Sequence, residues 1–320
     1  MTAPLLRYVD AADGTRIAWQ THLAGANEEA VGTRPLVVLT NGLSTTENFW
    51  DGLIAPLASA YRVVHWSYRG HSKSECARSG DYAIATHADD LARVTEAAIA
   101  RGTNTATPVH VAFSMGVTVL LEFYRRRPDR VAAMVLIAGG ADQPRASSAL
   151  FRVPLARPAL RVALRAAARV APRATGILRR ASSSKAIFPI ARAVGALGPD
   201  APREPMEHFF RALGAMDMRA YWASVRSLAE AHASDVLPTV KVPVLVIAPA
   251  SDVLASRRDL EILRDSIPGV RWLEVPNTSH AILLEAADVV AAAVRELFAA
   301  VRSQAPRVQP QEPLGSRQGP

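Results

Sequence analysis

The chain has one cysteine, Cys76, in 320 residues. A single thiol excludes an intramolecular disulfide and any multi-thiolate metal site, and it sets the protein apart from disulfide-stapled secreted domains. Long apolar runs are missing as well. No segment reaches the ~18 consecutive apolar residues that span a bilayer. The opening stretch MTAPLLRYVDAADGTRIAW has one short apolar pair before Arg7 and Asp10. A secretory leader would show a basic start followed by an apolar stretch of about 7–15 residues. The expectation from these absences is a soluble, cytoplasmic protein.

Acidic charge is absent from one long interval. Between Asp142 and Asp200 there is no Asp or Glu, and the same interval holds eleven cations, from Arg145 through Lys185 to Arg192. The chain carries a net charge of +8, so subtracting these eleven leaves the remainder at −3. The basicity belongs to one segment, and a global nucleic-acid-binding role is not indicated.

What is present is enough apolar material for a large core. At 49% hydrophobic residues, the length suits one large domain or one domain carrying an insertion. Four short runs rich in Val, Ile and Leu read as strands buried on both faces: 35–42, 61–68, 132–140 and 242–249. Helical stretches, 86–102 and 117–130 among them, lie between these runs, a rhythm that implies βαβ units and a mostly parallel sheet. The opening LRYVDAADGTRIAWQTHLAG reads as two alternating strands around an Asp-Gly turn, an antiparallel hairpin at the sheet edge.

The rhythm breaks after residue 142 and resumes at Val240. The expected organisation is therefore a core formed by 1–142 and 233–302, a helical cap inserted at 143–232, and a disordered Pro-, Gly- and Gln-rich tail at 303–320. The fold class is α/β, a mostly parallel sheet flanked by helices. Within the insertion, Arg157, Arg161, Arg165, Arg169 and Arg173 recur every fourth residue, one cationic stripe on a helix. A solvated cap helix is the first reading of that stripe. Peripheral contact with an anionic membrane surface, or attraction of an acidic or long-chain acyl substrate, are its alternatives.

The chemistry centres on HVAFSMGV, residues 110–117. Ser114 sits where a buried strand, VHVAF, gives way to a helix. A serine on such a tight turn adopts strained backbone angles, and residues two before and two after it pack against each other and must be small. Here those residues are Ala112 and Gly116. A serine nucleophile needs a base, and the base needs an orienting carboxylate. Asp252 follows the strand 242–248, and His280 follows the short strand in VRWLEVPNTSHAILLE, giving the chain order Ser, Asp, His. Asp142, after the strand 132–140, is the rival acid. Backbone N–H groups of Met115 and Leu43 are the expected oxyanion donors, Leu43 on the loop NGLSTTENFWDGLIAPL after strand 35–40. Phe113, Phe209 and Trp222 are candidate pocket residues, the last two from the aromatic cluster around 206–222.

On the stretches NGLSTTENFW, YRGHSKS, AFSMG, APASDVL and NTSHAILLE, in that order over roughly residues 5–300, the chain resembles α/β-hydrolase-fold serine hydrolases of the bacterial kind that carry a helical cap. The family usually has His-Gly where this chain has Asn41-Gly42, and usually Asp before the Arg-Gly where it has Tyr68. Neither departure removes a catalytic group, but Asn41 alters the hydrogen bonding that holds the oxyanion loop. The resemblance implies that Arg69-Gly70 is a structural turn beneath that loop. With Ser at the nucleophile position it argues against a haloalkane dehalogenase or epoxide hydrolase. The implied activity is cleavage of a carboxylic ester or related acyl substrate through an acyl-enzyme, with an apolar small-molecule acyl substrate as partner and no metal or organic cofactor. An acyltransferase or a carbon–carbon bond hydrolase would share the triad, and a non-catalytic binding protein would have no use for it.

Overall fold

Both faces of a β-strand must be apolar when helices cover both sides of the sheet, and the unalternating runs meet that condition. The computed structural model describes residues 3–142, 182, 184, 186–193 and 196–304. Strands β1 (Leu5–Asp10) and β2 (Arg16–His22) form the expected hairpin around Asp13-Gly14. Helix α1 (Glu28–Gly32), β3 (Leu36–Thr40), α2 (Asp51–Ala58), β4 (Arg62–Trp66), α3 (Ile84–Ile99), β5 (Val109–Phe113), α4 (Met115–Arg126) and β6 (Ala133–Ile137) follow. The helices α5 (Ile187–Ala193), α6 (Arg203–Ala215) and α7 (Met218–Glu230) precede β7 (Val244–Pro249), α8 (Arg257–Ser266), β8 (Arg271–Val275), α9 (Ile282–Glu285) and α10 (Ala287–Gln304).

The eight strands form one sheet in the order β1-β2-β4-β3-β5-β6-β7-β8. Pairing is antiparallel from β1 through β2 to β4 and parallel from β4 to β8. The pleat sends Leu36 and Val38 of β3 to one face, with Leu91 of α3, Leu120 of α4 and Leu263 of α8. It sends Val37 and Leu39 to the other, with Leu53 of α2 and Phe298 of α10. Each such aliphatic side chain, taken fully out of water, contributes roughly 1.5–3 kcal/mol.

The structure departs from the sequence reading in identifiable places. Only β1 alternates; β2 is buried almost throughout, because it lies between β1 and β4 and is no edge. Helix α3 starts two residues earlier than expected, and α4 starts at Met115, directly after Ser114, with Pro128–Arg130 forming a separate 3-10 turn. Helix α10 runs on to Gln304, and the remainder of the proposed tail lies outside the described residues, as does the arginine stripe at 157–173. The expected helical cap, 143–232, is described only in part; within that part α5, α6 and α7 are helical and no strand occurs.

The Arg69 turn links three elements. Its guanidinium makes a two-pronged pair with Asp90 of α3, at 2.8 and 2.7 Å, and reaches Asp13 of the hairpin turn at 3.2 Å. Arg69 and Asp90 are both buried, so each neutralises a charge that would otherwise be stranded away from water.

Candidate active site

Parallel strands place whatever follows them at one edge of the sheet. Ser114 follows β5, Leu43 follows β3, Asp252 follows β7 and His280 follows β8. Ser114 has φ 54° and ψ −121°, a strained conformation for any residue but glycine. Its N–H bonds the Ile137 carbonyl at 2.9 Å, and its own carbonyl takes the Val117 N–H at 3.0 Å. The small residue at Gly116 has a different cause from the expected contact with Ala112. A β-carbon there would stand 2.6 Å from the Asn41 carbonyl oxygen and 2.7 Å from that of Thr40, so α4 needs glycine in order to start against β3.

The structure brings Ser114, His280 and Asp252 together. His280 Nε2 lies 2.9 Å from Ser114 Oγ, and Nδ1 lies 2.8 Å from Asp252 Oδ2. Asp252 is almost wholly buried on its side chain, and its other oxygen accepts the Leu254 and Ala255 N–H groups at 2.8 and 2.9 Å. Among the described residues, the groups bonded to this carboxylate are the Leu254 and Ala255 N–H groups and His280 Nδ1. Nδ1 therefore donates to Asp252 and leaves the Nε2 lone pair facing the Ser114 hydroxyl. Asp142 is not at this site: its carboxylate accepts the Ala233 and Ser234 N–H groups at 3.1 and 3.0 Å and lies beside His232.

Two loops hold the acid and the base in register. The Ala250 and Ser251 N–H groups bond the Val275 and Thr278 carbonyls at 3.1 and 2.9 Å. On the far side of His280, Glu285 takes the Ser279 N–H and hydroxyl, both at 2.6 Å, and the Gly198 N–H at 2.8 Å. One carboxylate thus joins the histidine turn to the segment between β6 and β7. Glu285 stands in the motif NTSHAILLE, but its role depends on a partner 87 residues away in the chain.

The loop after β3 is anchored by Asn41. Its Oδ1 accepts Trp50 Nε1–H at 2.7 Å and His65 Nε2–H at 3.0 Å, and its Nδ2 donates to the Trp66 carbonyl at 2.9 Å. Burial pushes the His65 imidazole down to about 3, so that ring is neutral near pH 7. At Gly42 a β-carbon would fall within 2.9 Å of Thr45 Oγ1, the Phe113 ring and Ser114 Cβ, which explains the glycine. Met115 opens α4, so its N–H has no intrahelical acceptor. Leu43 lines the cavity beside Ser114.

That cavity, about 130 Å³, is walled by Leu43, Phe49, Phe113, Met206, Phe209 and Phe210, with Leu197, Ala191, Ala196, Ala281 and Thr45. Two of the expected pocket residues, Phe113 and Phe209, are there. Trp222 is not among the lining residues; it is half-buried on α7, edge-on to Tyr221 at 5.1 Å between ring centres, because α7 presents a different face to the core. Met206 and Phe210 come from the same 206–222 cluster, while Phe49 and Thr45 went unassigned in the sequence, where nothing distinguishes a pocket wall from ordinary packing. Among the described residues no group of three or more His, Cys, Asp and Glu is placed to hold a metal ion, and no helix is long and apolar enough to cross a membrane.

Residues 35–287 match the model of the alpha/beta hydrolase fold family, and the chain belongs to that family. RutD of Klebsiella pneumoniae, provisionally described as a carbamate hydrolase, is 25% identical over 254 residues, covering 79% of this chain and 87% of that protein. EphD of Mycobacterium tuberculosis, described as a probable oxidoreductase, is 32% identical over 142 residues; the match covers 43% of this chain and 22% of EphD. Among solved structures, the enol-lactonase of Burkholderia xenovorans superimposes with a TM-score of 0.70 at 22% identity, over 92% of this chain and all of that one. The latter likeness is one of fold.

Proposed function

We propose that the protein is a serine hydrolase that cleaves a carboxylic ester or related acyl substrate through an acyl-enzyme. The observation that carries this reading is the unbroken chain of hydrogen bonds from Ser114 through His280 to Asp252 at the edge of an apolar cavity. Ser114 Oγ attacks the acyl carbon while its proton passes to His280 Nε2. Asp252 stays ionised and fixes the imidazole in the tautomer that can accept that proton. The Leu43 and Met115 N–H groups receive the developing oxyanion. The imidazolium then protonates the leaving group, and water activated by the same imidazole releases the acid. The predominantly apolar walls favour a small apolar acyl group, and helix α6, between β6 and β7, supplies Met206, Phe209 and Phe210 as part of its cap.

Labelling with a fluorophosphonate probe, with the adduct mapped by mass spectrometry, tests the assignment. The expected result is one adduct on Ser114, lost in Ser114→Ala and slowed by orders of magnitude in His280→Ala. A folded protein that takes no label, or takes it elsewhere, removes the reading. Turnover of an ester with and without an added alcohol acceptor then separates hydrolysis from acyl transfer.

A further inference from the structure

The cavity contains one polar side chain that the reaction above does not use. Among the described residues lining it, Thr45 is the only one besides Ser114 and His280 with a side-chain hydrogen-bonding group. The residue is buried, at 6% exposure. Its backbone N–H is taken by the Gly42 carbonyl at 3.2 Å, and its hydroxyl has no partner among the described residues. A hydroxyl facing an apolar space carries a free-energy cost until something bonds it. The neighbouring Ser44 hydroxyl also has no partner among the described residues, but it is buried outside the cavity wall.

The position of Thr45 says what that partner is. Its Oγ1 stands 2.7 Å, and Ser114 Cβ stands 2.9 Å, from the one point that a Gly42 β-carbon would occupy. The hydroxyl therefore lies on the Gly42 side of the nucleophile, on the loop that also carries the Leu43 N–H. A branched β-carbon restricts its rotamers, so the hydroxyl oxygen is largely placed before substrate arrives.

We propose that Thr45 is a third donor to the oxyanion and a catalytic residue of this enzyme, an inference that rests on the serine-hydrolase reading above. As the Ser114 Oγ–carbon bond forms, the carbonyl π pair moves onto oxygen and the Ser114 proton moves to His280 Nε2. Thr45 keeps its own proton and donates a hydrogen bond to the new oxyanion. When the intermediate collapses, the electron pair returns to the carbonyl, the leaving group departs with the proton from His280, and the Thr45 hydroxyl is unchanged. Removing one oxyanion donor costs ~10²–10³ in kcat where it has been measured; for a donor supplementing two backbone N–H groups the expected loss is ~10- to 100-fold.

The test compares wild type, Thr45→Val and Thr45→Ser on p-nitrophenyl and ethyl esters of one short acid, with inhibition by a trifluoromethyl ketone that forms a hemiketal oxyanion on the nucleophile. Thr45→Val keeps the shape of the side chain and loses the hydroxyl. The expected result is a fall in kcat of ~10- to 100-fold on both esters with KM little altered, a Ki for the ketone weakened by a similar factor, and recovery in Thr45→Ser. Wild-type turnover in Thr45→Val overturns the proposal. So does a loss confined to the ethyl ester, which would place the hydroxyl on the leaving group, and so does a change in KM alone. If Thr45→Val does not fold, Thr45→Ala against Thr45→Ser makes the same comparison. Wild-type protein that turns over neither ester and takes no label on Ser114 would instead defeat the serine-hydrolase reading and this inference with it.

Discussion

Tyr68 donates its phenolic hydrogen bond to the backbone carbonyl of Asn41 at 2.6 Å, joining two positions at which this chain departs from the family's usual sequence. Burial raises the Tyr68 phenol well above its ordinary range, so the donor keeps its proton at any working pH. With Trp50, His65 and Trp66 on the Asn41 side chain, the loop that presents Leu43 is held from several directions. Asn41→Ala strands the Trp50 and His65 donors, at about 1–3 kcal/mol for each buried group left without a partner. We expect a large drop in urea-melt stability and a fall in kcat that exceeds any change in KM. Tyr68→Phe removes one bond, and a loss of about 1 kcal/mol is expected. If Asn41→Ala melts and turns over like wild type, the anchor has no part in the loop's geometry.

The two candidate acids make opposite predictions. Asp252→Asn preserves shape but lets the histidine adopt the wrong tautomer, and kcat should fall by roughly 10⁴. Asp142 caps Ala233 and Ser234, so Asp142→Asn should leave kcat near wild type and alter stability modestly. Steady-state kinetics on the two purified variants decide between them. A reversed pattern would move the acid to Asp142 and require a rearrangement of the histidine turn.

Glu285 is expected to be a positioning residue. Its carboxylate spends one oxygen on the Ser279 hydroxyl and Gly198 N–H and the other on the Ser279 N–H. Glu285→Ala releases the turn carrying His280, and the expected effect is a fall of about tenfold or more in kcat, since small misplacements of a catalytic group are costly. Glu285→Gln keeps one acceptor oxygen and should recover part of that loss. A purely structural role would lower the melting temperature of both variants and leave kcat measured well below it untouched.

What the sequence made legible depended on strand order. Once the buried runs were placed, anything directly after β5, β7 or β8 had to fall at one edge of the sheet, so Ser114, Asp252 and His280 could be paired across as many as 166 residues of chain. Backbone placement carried the site that far. Side-chain placement did not follow. Trp222 looked as good a pocket wall as Phe209, because periodicity on a helix shows that a face is apolar and not which neighbour it meets. Thr45 and Glu285 were hidden for the same reason: an ordinary loop threonine and an ordinary helix glutamate acquire roles only through partners brought to them by the fold. The buried β2 was misread from its hairpin partner, since the pattern of a strand cannot announce that a third strand will pair with its other side.

Buried histidines set the pH range over which the fold should hold. Burial lowers His65 to about 3, His71 to about 4 and His110 to about 4, and pushes His87 well below its ordinary value. In the unfolded chain each titrates near 6.5. Above pH ~6.5 neither state protonates them and the stability is fully present. As pH falls from there toward 4, the unfolded chain binds protons that the folded chain refuses, so stability drops by up to about 1.4 kcal/mol per pH unit for each histidine. Four together can consume a typical net stability of about 5–15 kcal/mol within two or three pH units. We expect urea midpoints that decline steeply between pH 6.5 and 5. His87→Phe isolates one contribution. Among the described residues neither ring nitrogen of His87 has a hydrogen-bond partner, and its ring is tilted against that of Tyr68 at 4.7 Å between centres, so phenylalanine gives up no hydrogen bond to them. The variant should match or exceed wild type at pH 7 and lose stability more gently on acidification. An acid slope equal to that of wild type would mean that His87 is protonated alike in both states.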